Sequence, residues 1–422
     1  MKKRYIILPK EESTKSVMST LQKTLGVKLV SSAELNSKVK SKDILNRDRG
    51  LFFKNLGVSV VDIEEDKLLD ILNKESNILY SELEREFYPV EEFDELISIK
   101  NTLETLSQQV NELEEHLRKR DLQKETTPEK ILQEYTFNMK ALALKTSKYS
   151  GKNINVAILD TGFYAKHPDF EKRTIEGKSF IEGEAWDFDG SGHGTHCTGV
   201  ATGHLFHKDN KRYGVAYEAN IFIGKVLSDS GTGLTSGILD GIDWALEKKC
   251  QVISLSLGSP VEIGEKPSAI FEHVGRKALE RGTLIVAAAG NNSQRPKHLP
   301  RPVSSPANVE SIMAIAALNE NLGVAKFSNA GLNVADGGKV DLSAPGVNIL
   351  SSYSKNAKGS KLYKSLNGTS MATPHVSGVL ALYFEAFPNL TAAEIWLKVE
   401  KNSQELTQQR RRDVGAGLVQ SI

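Results

Sequence analysis

Val156-Ala157-Ile158-Leu159-Asp160-Thr161-Gly162 is an apolar run of strand length that ends on a carboxylate and a turn-forming glycine. Such a run, bounded by turn residues, suits a strand buried on both faces, as in a parallel sheet. Similar runs follow: NIFIGKVL at 220–227, CQVISLSL at 250–257, TLIVAAAG at 283–290 and SIMAIAAL at 311–318. Helical patterns alternate with them, GILDGIDWALEKK at 237–249, AIFEHVGRKALERG at 269–282 and TPHVSGVLALYFEAF at 373–387. The alternation predicts an α/β fold of three layers, a mostly parallel sheet with helices on both faces. Sites in open sheets of this kind form at the carboxyl ends of the strands, where Asp160 stands.

Upstream the chain changes character. Only Gly26, Gly50 and Gly57 precede residue 150, out of 33 glycines, so tight turns and close backbone approaches concentrate in the second part. Residues 1–90 read as a small α+β unit: strand 5–8, helix 13–25 stopped by Gly26, strand 27–30, a strand pair over 51–63 around Gly57, helix 65–73 and strand 78–84. In 91–130, Leu96, Ile99, Leu103, Leu106, Val110, Leu113 and Leu117 recur at spacings of three and four, the seam of a long amphipathic helix. That helix either lies against its own protein or is offered to a partner or a second copy. The charged stretch 118–130, with Pro128, reads as a linker. Residues 131–422 form the third and largest part, entered through a helix over 131–145.

Three segments of this part carry chemistry. Asp160 ends a buried strand. His193 lies between Gly192 and Gly194 at the start of a helix-forming run, where backbone and substrate can approach closely. Ser370, in Asn367-Gly-Thr-Ser370-Met-Ala-Thr-Pro374-His375, stands at a helix start, whose outward N–H groups favour a developing anion. Pro374 is expected in the first turn of that helix. A serine hydroxyl is a weak nucleophile and needs a base, for which His193 is the candidate, with Asp160 fixing its tautomer and stabilising the imidazolium. The Ser370 N–H and the Asn291 side-chain amide are the candidate oxyanion donors. Singly, each segment fits an ordinary turn or glycine-rich loop; the conjunction carries the reading.

VAILDTG, HGTHCTGV, SLSLG, AAAGN and NGTSMATPHVSG occur in the order Asp, His, Ser, and from about residue 140 onward the chain resembles the catalytic domain of subtilisin-like serine proteases, the subtilases. The resemblance implies a serine endopeptidase acting through an acyl-enzyme, with Asp160, His193 and Ser370 as its triad and Asn291 and Ser370 at the oxyanion. It implies that Ser254, Leu255, Ser256, Leu257 and Gly258, with Ala287, Ala288, Ala289 and Gly290, wall the pocket for P1, the residue before the scissile bond, leaving room for a large apolar side chain. Gly231, Thr232 and Gly233 resemble the edge strand on which an extended substrate pairs. Thr235 stands where many relatives carry an aromatic at the P4 pocket, which puts P4 selectivity in doubt. Asp169 resembles one ligand of a structural calcium ion, but 204–213 do not match the family's ligand loop, so calcium stays possible and unassigned. No cofactor is needed for the chemistry. Residues 1–90 resemble the family's propeptide, which assists folding, covers the cleft with its last strand and is cut off. The processing site is open: the insertion at 91–130 departs from the family, and Pro89 argues against a cut after Tyr88.

Composition excludes other classes. Lys+Arg 54 against Asp+Glu 53 leaves a net charge of +1, which does not suit nucleic acid or an anionic membrane. The first apolar run, 5–8, is too short for a signal peptide and reads as a strand, so a cytoplasmic location is expected, with export by a non-standard route as the alternative. Cys197 and Cys250 are too few for a disulfide scaffold and read as buried thiols; His167, His196 and His375 read as structural. Expected partners are polypeptide substrates, the chain's own N-terminal unit as an intramolecular inhibitor and, in the alternative reading, a protein docking on the 96–117 helix to control a latent protease.

Overall fold

In β1 (Lys2–Pro9) the second half of the strand is buried on both faces, so the N-terminal sheet must be covered from two sides. Tyr5 and Ile7 join a small core with Val17 and Leu21 of α1 (Thr14–Leu25) and Leu68 and Ile71 of α2 (Glu65–Lys74). Ile6 and Leu8 point the other way, into a core shared with residues beyond 150. With β2 (Lys28–Ser31), β3 (Arg49–Phe53), β4 (Val58–Glu64) and β5 (Ile78–Leu83), the sheet has the order β2-β3-β4-β1-β5. These elements have the types and order read from the sequence. One that was not foreseen follows, β6 (Glu86–Pro89).

The computed structural model describes residues 2–26, 28–34, 49–90, 135–206, 211–332, 337–357 and 361–422. The helix expected over 96–117 and the linker after it lie outside these residues. The described residues belong to one compact unit. The helix expected over 131–145 is shorter: α3 spans Phe137–Ala141, and Ala143, with φ 56°, sits in the left-handed region, which an α-helix cannot continue through.

The larger part is built on a seven-stranded sheet of order β15-β14-β13-β11-β7-β9-β8, in which every neighbouring pair is parallel. Its strands are β7 (Asn155–Asp160), β8 (Ile175–Ser179), β9 (Asn220–Lys225), β11 (Val252–Leu255), β13 (Leu284–Ala288), β14 (Met313–Leu318) and β15 (Leu342–Pro345). Alternation along β7 sets the layers. Val156 and Ile158 pack with Val200 of α4 (His193–Thr202) and with Val376 and Leu380 of α7 (Thr369–Ala386). Ala157 and Leu159 pack with Ile238 and Ile242 of α5 (Thr235–Glu247) and Ile270 and Val274 of α6 (Ala269–Glu280).

This second core also takes Leu51, Phe53, Leu56, Val58 and Val60 from the N-terminal unit. Each such side chain contributes on the order of 1.5–3 kcal/mol when fully buried, so the contact is a folding interface, not a loose association. Polar contacts fix its register. On the α5 side, Ser236 N–H donates to Glu84 (3.1 Å), while Ser32 Oγ and Asn55 N–H donate to the two oxygens of Asp243 (2.7 and 2.8 Å). At α6, Ser268 Oγ and Ile270 N–H donate to Glu82 (2.7 and 3.2 Å). Carboxylates at helix N-termini meet unsatisfied N–H groups and the positive end of the dipole. The same interface lays β6 between two short strands, β10 (Gly233–Leu234) and β12 (Leu257–Gly258).

Candidate active site

Asp160 ends β7, and its Oδ1 accepts hydrogen bonds from His193 Nδ1 and the Thr161 N–H, both at 2.7 Å. His193 opens α4, whose start is held by a residue the sequence reading did not single out, Asp189. Its Oδ1 accepts from the Gly192 N–H (2.7 Å) and the Thr161 hydroxyl (2.9 Å); its Oδ2 accepts from the Thr195 N–H (2.9 Å) and hydroxyl (2.6 Å). One buried carboxylate therefore locks together the strand end that carries Asp160 and the helix start that carries His193. The available signal was an acidic residue shortly before a helix start. Burial on its own depresses the His193 pKa, but the Asp160 carboxylate outweighs it and holds the imidazole well above its ordinary 6.5.

Ser370 is the second residue of α7. Its hydroxyl donates to the Ser256 carbonyl (2.9 Å) and accepts from the Val90 N–H (3.0 Å). Pro374 lies in the second turn, not the first as expected, and lacks the N–H that would have bonded the carbonyl of Ser370 four residues back. That carbonyl instead accepts from Ser256 Oγ (2.8 Å) and the Cys197 thiol (3.5 Å), tying the serine's backbone to β11–β12 and α4. Asn291 directs its amide by accepting, at Oδ1, from the Thr369 N–H (3.0 Å) and hydroxyl (2.8 Å); its Nδ2 donates to the Val90 carbonyl oxygen at 2.6 Å.

Val90 thus sits between Ser370 and Asn291, and β6 runs back from it along the cleft between β10 and β12. Phe87 pairs with Gly233 and Glu86 with Leu234 on one side; Tyr88 pairs with Gly258 and Pro89 with Leu257 on the other. Gly231, with φ 83°, holds a conformation that favours glycine; a Cβ there would lie 3.3 Å from the Pro89 ring, and one on Gly258 3.2 Å from the Val90 side chain, both tight contacts. Ser256 contributes through its carbonyl, to which the Val90 N–H also points at 3.4 Å. Thr232 braces the turn through Ser228 rather than touching β6 by a hydrogen bond: the Ser228 N–H donates to its carbonyl at 2.8 Å. Ser254, Leu255, Ala287 and Ala288 are strand residues of the central sheet, with Leu255 and Ala287 in its core; Ala289 belongs to that core as well, and Gly290 donates its N–H to Thr369 Oγ1 (3.1 Å). Phe87 is fully buried, edge-to-face with Phe271 at 5.7 Å. Phe271, not Thr235, supplies the aromatic ring against Phe87.

The matching family model, described as the subtilase family, covers residues 151–417. This chain belongs to the subtilase family. Subtilisin DY of Bacillus licheniformis is 35% identical over 268 residues, 64% of this chain and 90% of its own length. Subtilisin Savinase of Lederbergia lenta is 39% identical over 246 residues, 58% of this chain and 81% of its own. Subtilisin E of Bacillus subtilis strain 168 is 36% identical over 269 residues, 64% of this chain and 65% of its own. Like these subtilases, the chain is a serine endopeptidase that acts on polypeptides, and its chemistry requires no cofactor.

Subtilase resemblance suggested calcium at Asp169, but the residues there do not fit a hard cation. Oδ1 accepts from the Tyr363 hydroxyl and Oδ2 from the Tyr213 hydroxyl, both at 2.7 Å, inside a cluster of Phe206, Tyr213 and Tyr363 rings. Each oxygen already accepts from a hydroxyl, and among the described residues no cluster of further carboxylates gathers there toward the six or more oxygen ligands that calcium takes. Tyr213→Phe should strip one donor from this buried carboxylate and destabilise the fold by about 1–3 kcal/mol, read by urea denaturation in EDTA. An unchanged midpoint would show that the clamp contributes nothing.

Among the described residues, Asp160, His193 and Cys197 are the set whose ligand-type atoms approach within 4.8 Å, but Asp160 and His193 are engaged with one another. Burial pushes the Cys197 thiol up to about 11, so it stays protonated and is no rival nucleophile. Burial lowers His196 to about 3 and His375 to about 4, leaving both neutral. His196 Nε2 meets the Ile349 carbonyl at 2.8 Å; His375 accepts from Asn138 at 2.7 Å and thereby anchors α3 to α7. His167 meets the Leu362 carbonyl at 2.8 Å. Among the described residues no helix is long and apolar enough to cross a membrane.

Proposed function

We propose that this endopeptidase is made latent, with residues 1–90 as its inhibitor, and that it releases itself by cutting the Val90–Glu91 bond. The observation that carries the reading is the seat of Val90, its carbonyl oxygen 2.6 Å from Asn291 Nδ2 and its N–H 3.0 Å from Ser370 Oγ.

In this reading Ser370 turns its hydroxyl from the Ser256 carbonyl to His193 Nε2. Oγ attacks the Val90 carbonyl carbon while His193 takes the proton. Negative charge gathers on the oxygen already facing Asn291, whose orientation is fixed beforehand by Thr369. The bond to the Glu91 nitrogen breaks as His193 returns its proton there, leaving Val90 esterified to Ser370. Water, deprotonated by His193, then releases Val90 as a carboxylate and restores the serine. Asp160 offsets the imidazolium charge in both steps. Such latency is what synthesis in a cytoplasm would require, since an unrestrained endopeptidase would attack its host.

Intact mass of the purified wild type, incubated alone, tests this. Two species corresponding to residues 1–90 and 91–422 are expected. A break elsewhere, or a chain that stays whole under conditions where it cleaves a peptide, overturns the proposed cut.

A further inference from the structure

The contacts of β6 do not stop at the strand's end. One residue earlier, Arg85 is held on both rims of the cleft. On the β10 rim its carbonyl accepts from the Thr235 N–H (3.0 Å) and hydroxyl (3.2 Å), and its own N–H donates to Thr235 Oγ1 at 2.9 Å. Thr235 is buried, so these bonds are shielded from water. On the β12 rim the Arg85 guanidinium meets Glu265 Oε1 at 2.7 Å. Glu265 is fixed in advance: its Oε2 accepts from the Glu262 N–H at 3.0 Å, within the loop that leads to α6.

We propose that Thr235 and Glu265 form a sixth substrate subsite, which grips the backbone of the residue six positions before the scissile bond and favours arginine or lysine there. The proposal rests on the reading of β6 as a strand bound like substrate. A threonine can do here what neither a larger aromatic nor an apolar residue could. Its backbone N–H bonds the Arg85 carbonyl, and its hydroxyl adds an acceptor for the Arg85 N–H, continuing the ladder past the point where α5 begins. The carboxylate opposite then discriminates by charge, weakly because the pair is partly exposed, yet in a fixed geometry.

The test uses the wild type, incubated until its mass is constant, and three p-nitroanilide substrates. Two are hexapeptides, Arg-Glu-Phe-Tyr-Pro-Val and its variant with Glu in first place; the third is the pentapeptide lacking that place. The arginine hexapeptide should exceed the pentapeptide in kcat/KM by about fivefold or more, as expected for two net backbone hydrogen bonds. It should exceed the Glu hexapeptide further by about two- to fivefold. Glu265→Arg should reverse the order of the two hexapeptides, and Thr235→Val should narrow the gap between hexapeptide and pentapeptide, because it removes the bonds through Oγ1 and leaves the backbone N–H on the Arg85 carbonyl. Equal kcat/KM for all three in the wild type overturns the subsite and leaves the enzyme's reading of P1 to P5 intact. Failure to cleave any of them after valine overturns the register from which the subsite is counted.

Discussion

Ser370→Ala is expected to leave the chain whole at 422 residues under conditions where the wild type separates after Val90. The substitution removes the one atom that attacks, and with it the bonds to the Ser256 carbonyl and the Val90 N–H, while the fully buried site keeps its packing. The loss belongs among the largest a single residue can cause. In subtilisin itself, removal of this serine costs about 2 × 10⁶ in kcat, and that magnitude is the relative's. Intact mass beside the wild type measures it. Cutting after Val90 in the variant at the wild-type rate would assign the cleavage to another protease.

Asp160→Asn should slow self-processing by about 10⁴-fold with the fold preserved, because the side chain is isosteric and its oxygen can still accept from the Thr161 N–H. What disappears is the charge that outweighs burial at His193. The sign of the pH effect follows. His193 acts as base only when neutral, and its pKa lies above 6.5 in the wild type, so the processing rate should climb with pH through a limb above 6.5. In the variant that limb should move to lower pH, since burial is no longer offset by the Asp160 charge. Following full-length chain against time from acid to alkaline buffer reads both quantities. A variant slowed without displacement of the limb would mean that Asp160 orients the imidazole but does not set its charge.

The catalytic part was legible because its decisive residues sit in local signals. Asp160 closes an apolar run, His193 lies between glycines at a helix start, and Ser370 opens a helix. What stayed illegible depends on partners distant in sequence. Glu86-Phe-Tyr-Pro89 is a poor strand by composition, with a proline that can donate nothing to a ladder. It becomes β6 only because β10 and β12, some 150 residues on, supply partners on both sides. Asp189 reads as loop until β7 brings Thr161 beside it. Thr235 read as a missing aromatic, a judgement about what relatives carry there, and its hydroxyl found work that only Arg85 reveals. Pro374 illustrates the reverse case: its misplacement by one turn mattered, since the hydrogen bond it withholds is the one that frees the Ser370 carbonyl for Ser256.

If Val90 blocks the cleft as proposed, its placement also sets how activation should depend on concentration. While the chain is continuous, the blocking strand competes for the cleft as part of the same molecule, at an effective concentration no dilution can lower. Once the Val90–Glu91 bond is cut, residues 1–90 become a separate ligand, and their hold obeys mass action. Crowded molecules then silence one another, and dispersed ones wake. Every molecule that escapes can digest inhibitors shed by its neighbours, so the approach to full activity should be sigmoidal in time, its lag set by protein concentration rather than by the speed of the first cut.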